Sequence, residues 1–311
     1  VAAGTTAGTA HGAAHGLVVL DEPGWTARAR AHAERVDRLT AGHRERAGRK
    51  HPVEDFLFSY YSLRPAQLRR WHPGAGVALA GAAAQERLTW RDHTTAPTGT
   101  HDTDGAAVTL DVPAFLARRG DAVRHVRALL TAVASRPLHL GCFGLHEWAM
   151  VYRLDPGDVR HAGWPLRLGP DGTDEVVGSH RIRCSHFDAF RFFTDAARPL
   201  NTLQPRREDQ VALDQPGCLH ATMDLYKWAY KLSPATPSEL VADCFELARD
   251  VRELDMRASP YDLRELGYAP VPVETPEGKA AYAAHQKAFA ERAAPLRAAL
   301  IAVCDQLITE R

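Results

Sequence analysis

The stretch Pro216–Leu232, PGCLHATMDLYKWAYKL, decides how this chain is read. It stops before Pro234 and carries no proline after Pro216, so a helix is expected over most of it. His220 and Asp224 stand four residues apart, which places an imidazole and a carboxylate on one helix face. Lys227 and the rings of Tyr226, Trp228 and Tyr230 follow closely. So many functional groups in one short segment are expected to wall a pocket rather than fill a plain core.

Working outward, the chain has 311 residues, 45% of them hydrophobic, enough for a sizeable buried core. Lys plus Arg and Asp plus Glu both number 38, so no global positive field draws the chain to nucleic acid or an anionic membrane. The five cysteines are odd in number and form no C-x-x-C pair, which points to reduced, buried thiols and a cytoplasmic location. No apolar run approaches a membrane span. The Ala/Gly/Thr-rich segment over residues 1–22 is expected to be a disordered leader, and 23–311 a single mainly α-helical domain.

Within that domain, Ala27–Lys50 is an arginine-rich helix expected to be a solvated surface element. His51–Gly74 is dense in aromatic residues and closes on Pro73-Gly74. Two strand-like runs, ERLTWRD and AVTLDV, predict a small β hairpin or sheet around residues 85–112. Asp111 is expected to cap a helix beginning near Pro113. His146-Glu147-Trp148 lies in an apolar, helical stretch, so its polar groups need buried partners. His161–Glu175 reads as a loop with Trp164-Pro165 as a lid. Thr236-Pro237-Ser238-Glu239 reads as a capping box, and a last helix from Thr275-Pro276-Glu277 to about Thr309 should kink or break at Pro295.

Two chemistries are open at the central stretch. His220 and Asp224, with His186 and with His146 as a further contributor, are of the residue types that bind iron or zinc. The competing reading is a hydrogen-bonded structural pair. G-x-S-x-G and the phosphate-binding Gly-rich motifs are absent, which excludes the usual serine hydrolases, nicotinamide enzymes and P-loop ATPases.

The runs HPVEDFLFSYYSLRPAQLRRWHPG, GCFGLHEWAMVYR, CSHFDAFRFF, PGCLHATMDLYKWAYKLSP and LDMRASPYD, spanning His51 to Tyr261, resemble an actinobacterial family labelled 3-methyladenine DNA glycosylase. The resemblance implies excision of alkylated purines such as 3-methyladenine from DNA. Such an enzyme stacks an extruded base on aromatic faces while a carboxylate assists the departure from the sugar. Asp224, helped by His220, or else Asp188, would then be the catalytic group. Tyr226, Trp228 and Phe187 would contact the base, and Lys227, Arg181 and Arg183 the phosphates. The alternative expectation is a metal-dependent oxygenase or hydrolase acting on a small planar substrate through His186, His220, Asp224 and His146.

Overall fold

In a computed structural model the described residues are 17–46, 50–97, 106–155, 157 and 163–309. Of the leader expected over 1–22, residues 1–16 lie outside them. Helices α1 (Glu22–Leu39), α2 (Ala41–Glu45), α3 (Phe56–Ser59) and α4 (Pro65–Leu68) precede α5 (Val112–Ala134). Then come α6 (Leu145–Ala149), α7 (Gly169–Ser179), α8 (Phe187–Phe190), α9 (Gln210–Leu213), α10 (Leu219–Lys231), α11 (Ser238–Arg257) and α12 (Pro276–Thr309). Four short strands, β1 (Val18–Leu20), β2 (Val77–Leu79), β3 (His93–Thr95) and β4 (Val108–Leu110), form one mixed sheet in the order β1-β2-β4-β3. The fold is therefore mainly helical with a small sheet. No helix among the described residues is long and apolar enough to cross a membrane.

The opening stretch is the central element. α10 packs against α11 and α12, and α12 packs in turn against α5. Every residue from Leu219 to Ala229 is buried, polar ones included. A helix enclosed on all sides must pair each polar side chain internally, since an unpaired one costs about 1–3 kcal/mol. That demand organises the site below.

α1 is less free than its composition predicts. Arg28 reaches Glu239 at 2.9 Å, and Arg35 pairs with Asp243 at 2.7 Å and Glu246 at 2.6 Å, so the arginine-rich helix is laid along the acidic flank of α11. Trp25, His32 and Val36 form its buried side. The leader ends earlier than residue 22, because Val18–Leu20 pairs in parallel with Val77–Leu79 and Asp21 caps α1 by accepting from the Gly24 amide.

The sheet differs in detail from the predicted hairpin. Ala82–Thr89, which includes most of ERLTWRD, is a 3-10 helix, and the strand opposite Val108–Leu110 is His93–Thr95. Arg87 explains this. Its guanidinium lies 5.2, 5.4 and 4.5 Å from the rings of Trp25, Trp71 and Trp90, and burial lowers its pKa to about 10. The helical turn delivers Arg87 into that box of indoles, where cation–π contacts offset the lost hydration.

Asp111 caps α5 as expected, accepting from the Ala114 amide at 2.9 Å. The expected loop over His161–Glu175 becomes α7 from Gly169 onward. Trp164 and Leu166 are no lid. They pack on Val151, Met256 and Tyr261, and Pro165 accepts from the Asp262 amide. α11 starts at Ser238 without the predicted box, because Ser238 Oγ accepts from the His72 amide and Glu239 accepts from the Trp71 indole. α12 runs through Pro295 without a break, its two faces held by α5, α10 and α11.

Two imidazoles in this framework set an acid limit. Burial lowers the pKa of His32 from its ordinary value and that of His72 to about 3. In the unfolded chain both protonate near pH 6.5. Their stabilising contribution is therefore full above that pH and is lost as pH falls below it, at up to about 1.4 kcal/mol per pH unit for each. Urea midpoints should drop between pH 7.5 and 5.0, with a shallower drop in His72→Gln; equal slopes in the two proteins would refute this account.

Candidate functional site

Helix α10 meets α6 and α11 at one end and the Arg183–Phe190 segment further along, and each contact is built from ionisable groups. At the first, His146 Nε2 lies 2.8 Å from Asp255 Oδ1. Arg252 donates to the other oxygen of Asp255 at 2.9 Å and to Glu147 at 2.8 Å. All four side chains are buried. Burial pushes Asp255 up, but His146, His220 and Arg252 outweigh it and hold this carboxyl well below the usual range. Burial likewise opposes a charged His146, and Asp255 overrides it to raise the imidazole pKa.

At the second contact, His186 Nδ1 lies 3.0 Å from Asp214, and its Nε2 is 3.7 Å from Asp224. Tyr61 donates to Asp224 Oδ1 at 3.0 Å, while Lys227 donates to the other oxygen. Lys227 also reaches Asp188 at 3.4 Å. Burial alone would lower the Lys227 pKa, and the paired carboxylates Asp224 and Asp188 raise it instead, so the ammonium stays charged. Asp188 is shared further with Arg191 at 3.3 Å and Arg207 at 3.8 Å.

His220 joins the two groups. Its ring stands edge-on to His146 at 4.5 Å between centroids and stacks on His186 at 5.5 Å. Burial, then the positive charge of His146, drives its pKa well below the ordinary value. It is therefore a neutral imidazole with a free lone pair. Among the described residues, no hydrogen-bond partner stands against either of its ring nitrogens. A small cavity of about 20 Å³ opens beside it, lined by His146, Arg183, Ser185 and the thiols of Cys142, Cys184 and Cys218. Burial pushes the Cys184 thiol up to about 12 and raises Cys142 and Cys218 as well, so these thiols are uncharged.

Two sets of three ligand-type side chains arise here. His146, His220 and Asp255 form one, and His186, Asp188 and Asp224 the other, each with donor atoms within 4.8 Å of one another. Atoms sharing an ion at about 2.1 Å lie roughly 3–4 Å apart, so small rotations would close either set. Each set already meets a cation: Arg252 pairs with Asp255 in the first, and Lys227 with Asp188 and Asp224 in the second.

The His186, His220, Asp224 grouping drawn from the sequence is thus divided. The one-face prediction holds in that His186 touches both members of the pair, but His220 sits with His146 and Asp255. Lys227 lies inside the site, while Tyr226 is core, its pKa pushed above the usual range by burial. The Trp228 ring receives Lys227 and Lys231 at 4.5 and 5.5 Å. Phe187 is half-buried under Arg207 at 5.2 Å. Arg181 and Arg183 are exposed, and only Arg183 borders the cavity.

Asp255, Arg252, Asp214 and Tyr61 escaped the sequence reading. For the first two a signal existed. Arg252 and Asp255 sit three apart beside the apolar stripe of α11, and charges there must be paired.

Comparison with protein-family models, with curated proteins and with solved structures found no match to this chain. The functional reading therefore rests on the residues themselves.

Proposed function

We propose that this chain is a divalent-metal-dependent enzyme, an oxygenase or hydrolase of a small planar substrate, with His146, His220 and Asp255 as its ligands. The observation that carries the reading is His220: buried, neutral and without a hydrogen-bond partner among the described residues, against a second imidazole and a carboxylate. Two imidazoles and one carboxylate are the donor set of non-haem iron and of hydrolytic zinc sites, which supply oxygen activation or an acidified water. Arg252 and Glu147 hold Asp255 in place, as outer partners of a metal ligand do. His186, stacked on His220 and bonded to Asp214, is the nearest group able to carry a proton. The cavity of about 20 Å³ has room for about one water, and the exposed Arg183 stands on its wall.

Native protein is expected to hold about one equivalent of iron or zinc, and His220→Ala to weaken metal binding at least 10-fold, the scale seen when a supporting partner alone is removed. Protein purified without chelator that contains no stoichiometric metal, and takes up none on titration, would refute the proposal.

The resemblance to the glycosylase family supports a second reading, carried by the Asp224 carboxylate between Tyr61, Lys227 and His186. In that reading Asp224 assists base loss and the exposed Arg181, Arg183 and Arg207 meet DNA phosphates. Release of 3-methyladenine from alkylated duplex in the presence of chelator, abolished in Asp224→Asn, would select it over the metal reading.

A further inference from the structure

A larger hollow lies elsewhere and shares no lining residue with the cavity at His220. It is a cleft of about 420 Å³ between α4, the turn before β3, and the starts of α5 and α11. That volume falls within the range of small-molecule sites, whereas the space beside His220 does not.

Its wall is cationic. Arg118 is matched by Asp92, but no carboxylate among the described residues pairs with the guanidinium of Arg70 or of Arg91. The Arg70 guanidinium lies 5.1 Å from the centre of the Trp90 ring, a cation–π contact that restrains it. Behind it stands a corner of three rings. His72 and His93 each meet Trp90 edge-on, at 5.5 and 5.8 Å, and lie 6.2 Å from one another. His72 Nδ1 is buried and has no hydrogen-bond partner. Leu63, Leu68, Pro234 and Val241 add apolar surface opposite the arginines. The cleft thus combines two guanidinium forks that have no carboxylate partner among the described residues with a corner of three aromatic rings.

We propose that this cleft binds a mononucleotide-sized organic anion, a planar ring system joined to a phosphate, with Arg70 and Arg91 on the phosphate and the His72–Trp90–His93 corner against the ring. Guanidinium forks match phosphate oxygens two at a time, which selects phosphate over a diffuse charge. The ring corner selects against inorganic phosphate. Neither requirement involves His220, so the site stands whether or not the metal reading does.

The test is calorimetric titration of the full chain with adenosine 5′-monophosphate in chelator, at low and at 0.5 M salt, with adenosine and inorganic phosphate as comparison probes. Saturable one-to-one binding is expected, at least tenfold tighter than for either comparison probe and weakened by salt. Arg70→Gln and Arg91→Gln should each reduce affinity about tenfold, and both side chains are exposed, so melting curves should be unchanged. Trp90→Phe should retain binding better than Trp90→Ala. No saturation up to millimolar nucleotide, equal affinity for inorganic phosphate, or unaltered affinity in the double arginine variant would overturn the proposal.

Discussion

Asp255→Ala should lower the free energy of unfolding by about 3–5 kcal/mol, the cost of breaking a buried ion pair from one side. The carboxylate is fully buried and serves His146 on one oxygen and Arg252 on the other. Its removal leaves a guanidinium and a proton-bearing imidazole facing each other in a medium that cannot hydrate them. Arg252 retains Glu147, and His146 loses the only carboxylate among the described residues within its hydrogen-bond reach. The measurement is chemical denaturation in chelator, so that loss of a bound metal does not add to the effect. An apolar replacement of the group as a whole, Glu147→Leu with Arg252→Met and Asp255→Leu, should recover most of the loss, because no charge is then stranded. A single Asp255→Ala variant within about 1 kcal/mol of the parent would show that water already reaches this cluster.

Lys227→Met should cost a similar amount, about 3–5 kcal/mol, for the complementary reason. Here two carboxylates, Asp224 and Asp188, share one ammonium, and among the described residues Asp224 keeps only Tyr61 and the more distant His186 when it is gone. Asp188 is better protected, since Arg191 and Arg207 remain beside it. The loss should therefore be traceable to Asp224. In a double-mutant cycle, Asp224→Asn should remove most of the penalty of Lys227→Met, giving a coupling of about 2–3 kcal/mol. Additive single effects would place the penalty in lost packing of the lysine stem over Trp228 instead.

The two clusters differ in what they leave free for chemistry. In the Lys227 group each carboxylate has a cation in contact, while His186 Nε2 is buried with no hydrogen-bond partner among the described residues. In the His220 group His146 and Asp255 share a proton that a bound metal would replace, and His220 itself keeps a lone pair beside the small cavity. An imidazole so placed is kept from protonation first by its burial and then by the charge of His146, and this is what makes it available to a metal.

Much of this was legible in residue order. The spacing of His220 and Asp224 placed both on the face that meets His186, Asp111 announced α5, and the apolar setting of His146 and Glu147 required the partners they have. Helical content followed from periodicity, since α5, α10, α11 and α12 supply their own backbone hydrogen bonds whatever surrounds them. Local pattern failed where a distant contact overrode it. Glu86–Thr89 has strand propensity, but Arg87 is drawn into an indole box assembled from Trp25, Trp71 and Trp90. Val18–Leu20 looks like the tail of a leader until β2 offers it an edge.

The sequence by itself determined that α10 is a helix, which of its residues share a face, and that its polar groups would need partners if it were buried. Tertiary structure alone decided that it is buried on every side, and therefore that His220 goes with His146 and Asp255 while Asp224 goes with Lys227, His186 and Tyr61. The physical reason is separation along the chain. Helix periodicity acts over four residues and is written locally, whereas Asp224 meets Tyr61, and His146 meets Asp255, only because tertiary packing brings the segment after α3 against α10 and α6 against α11.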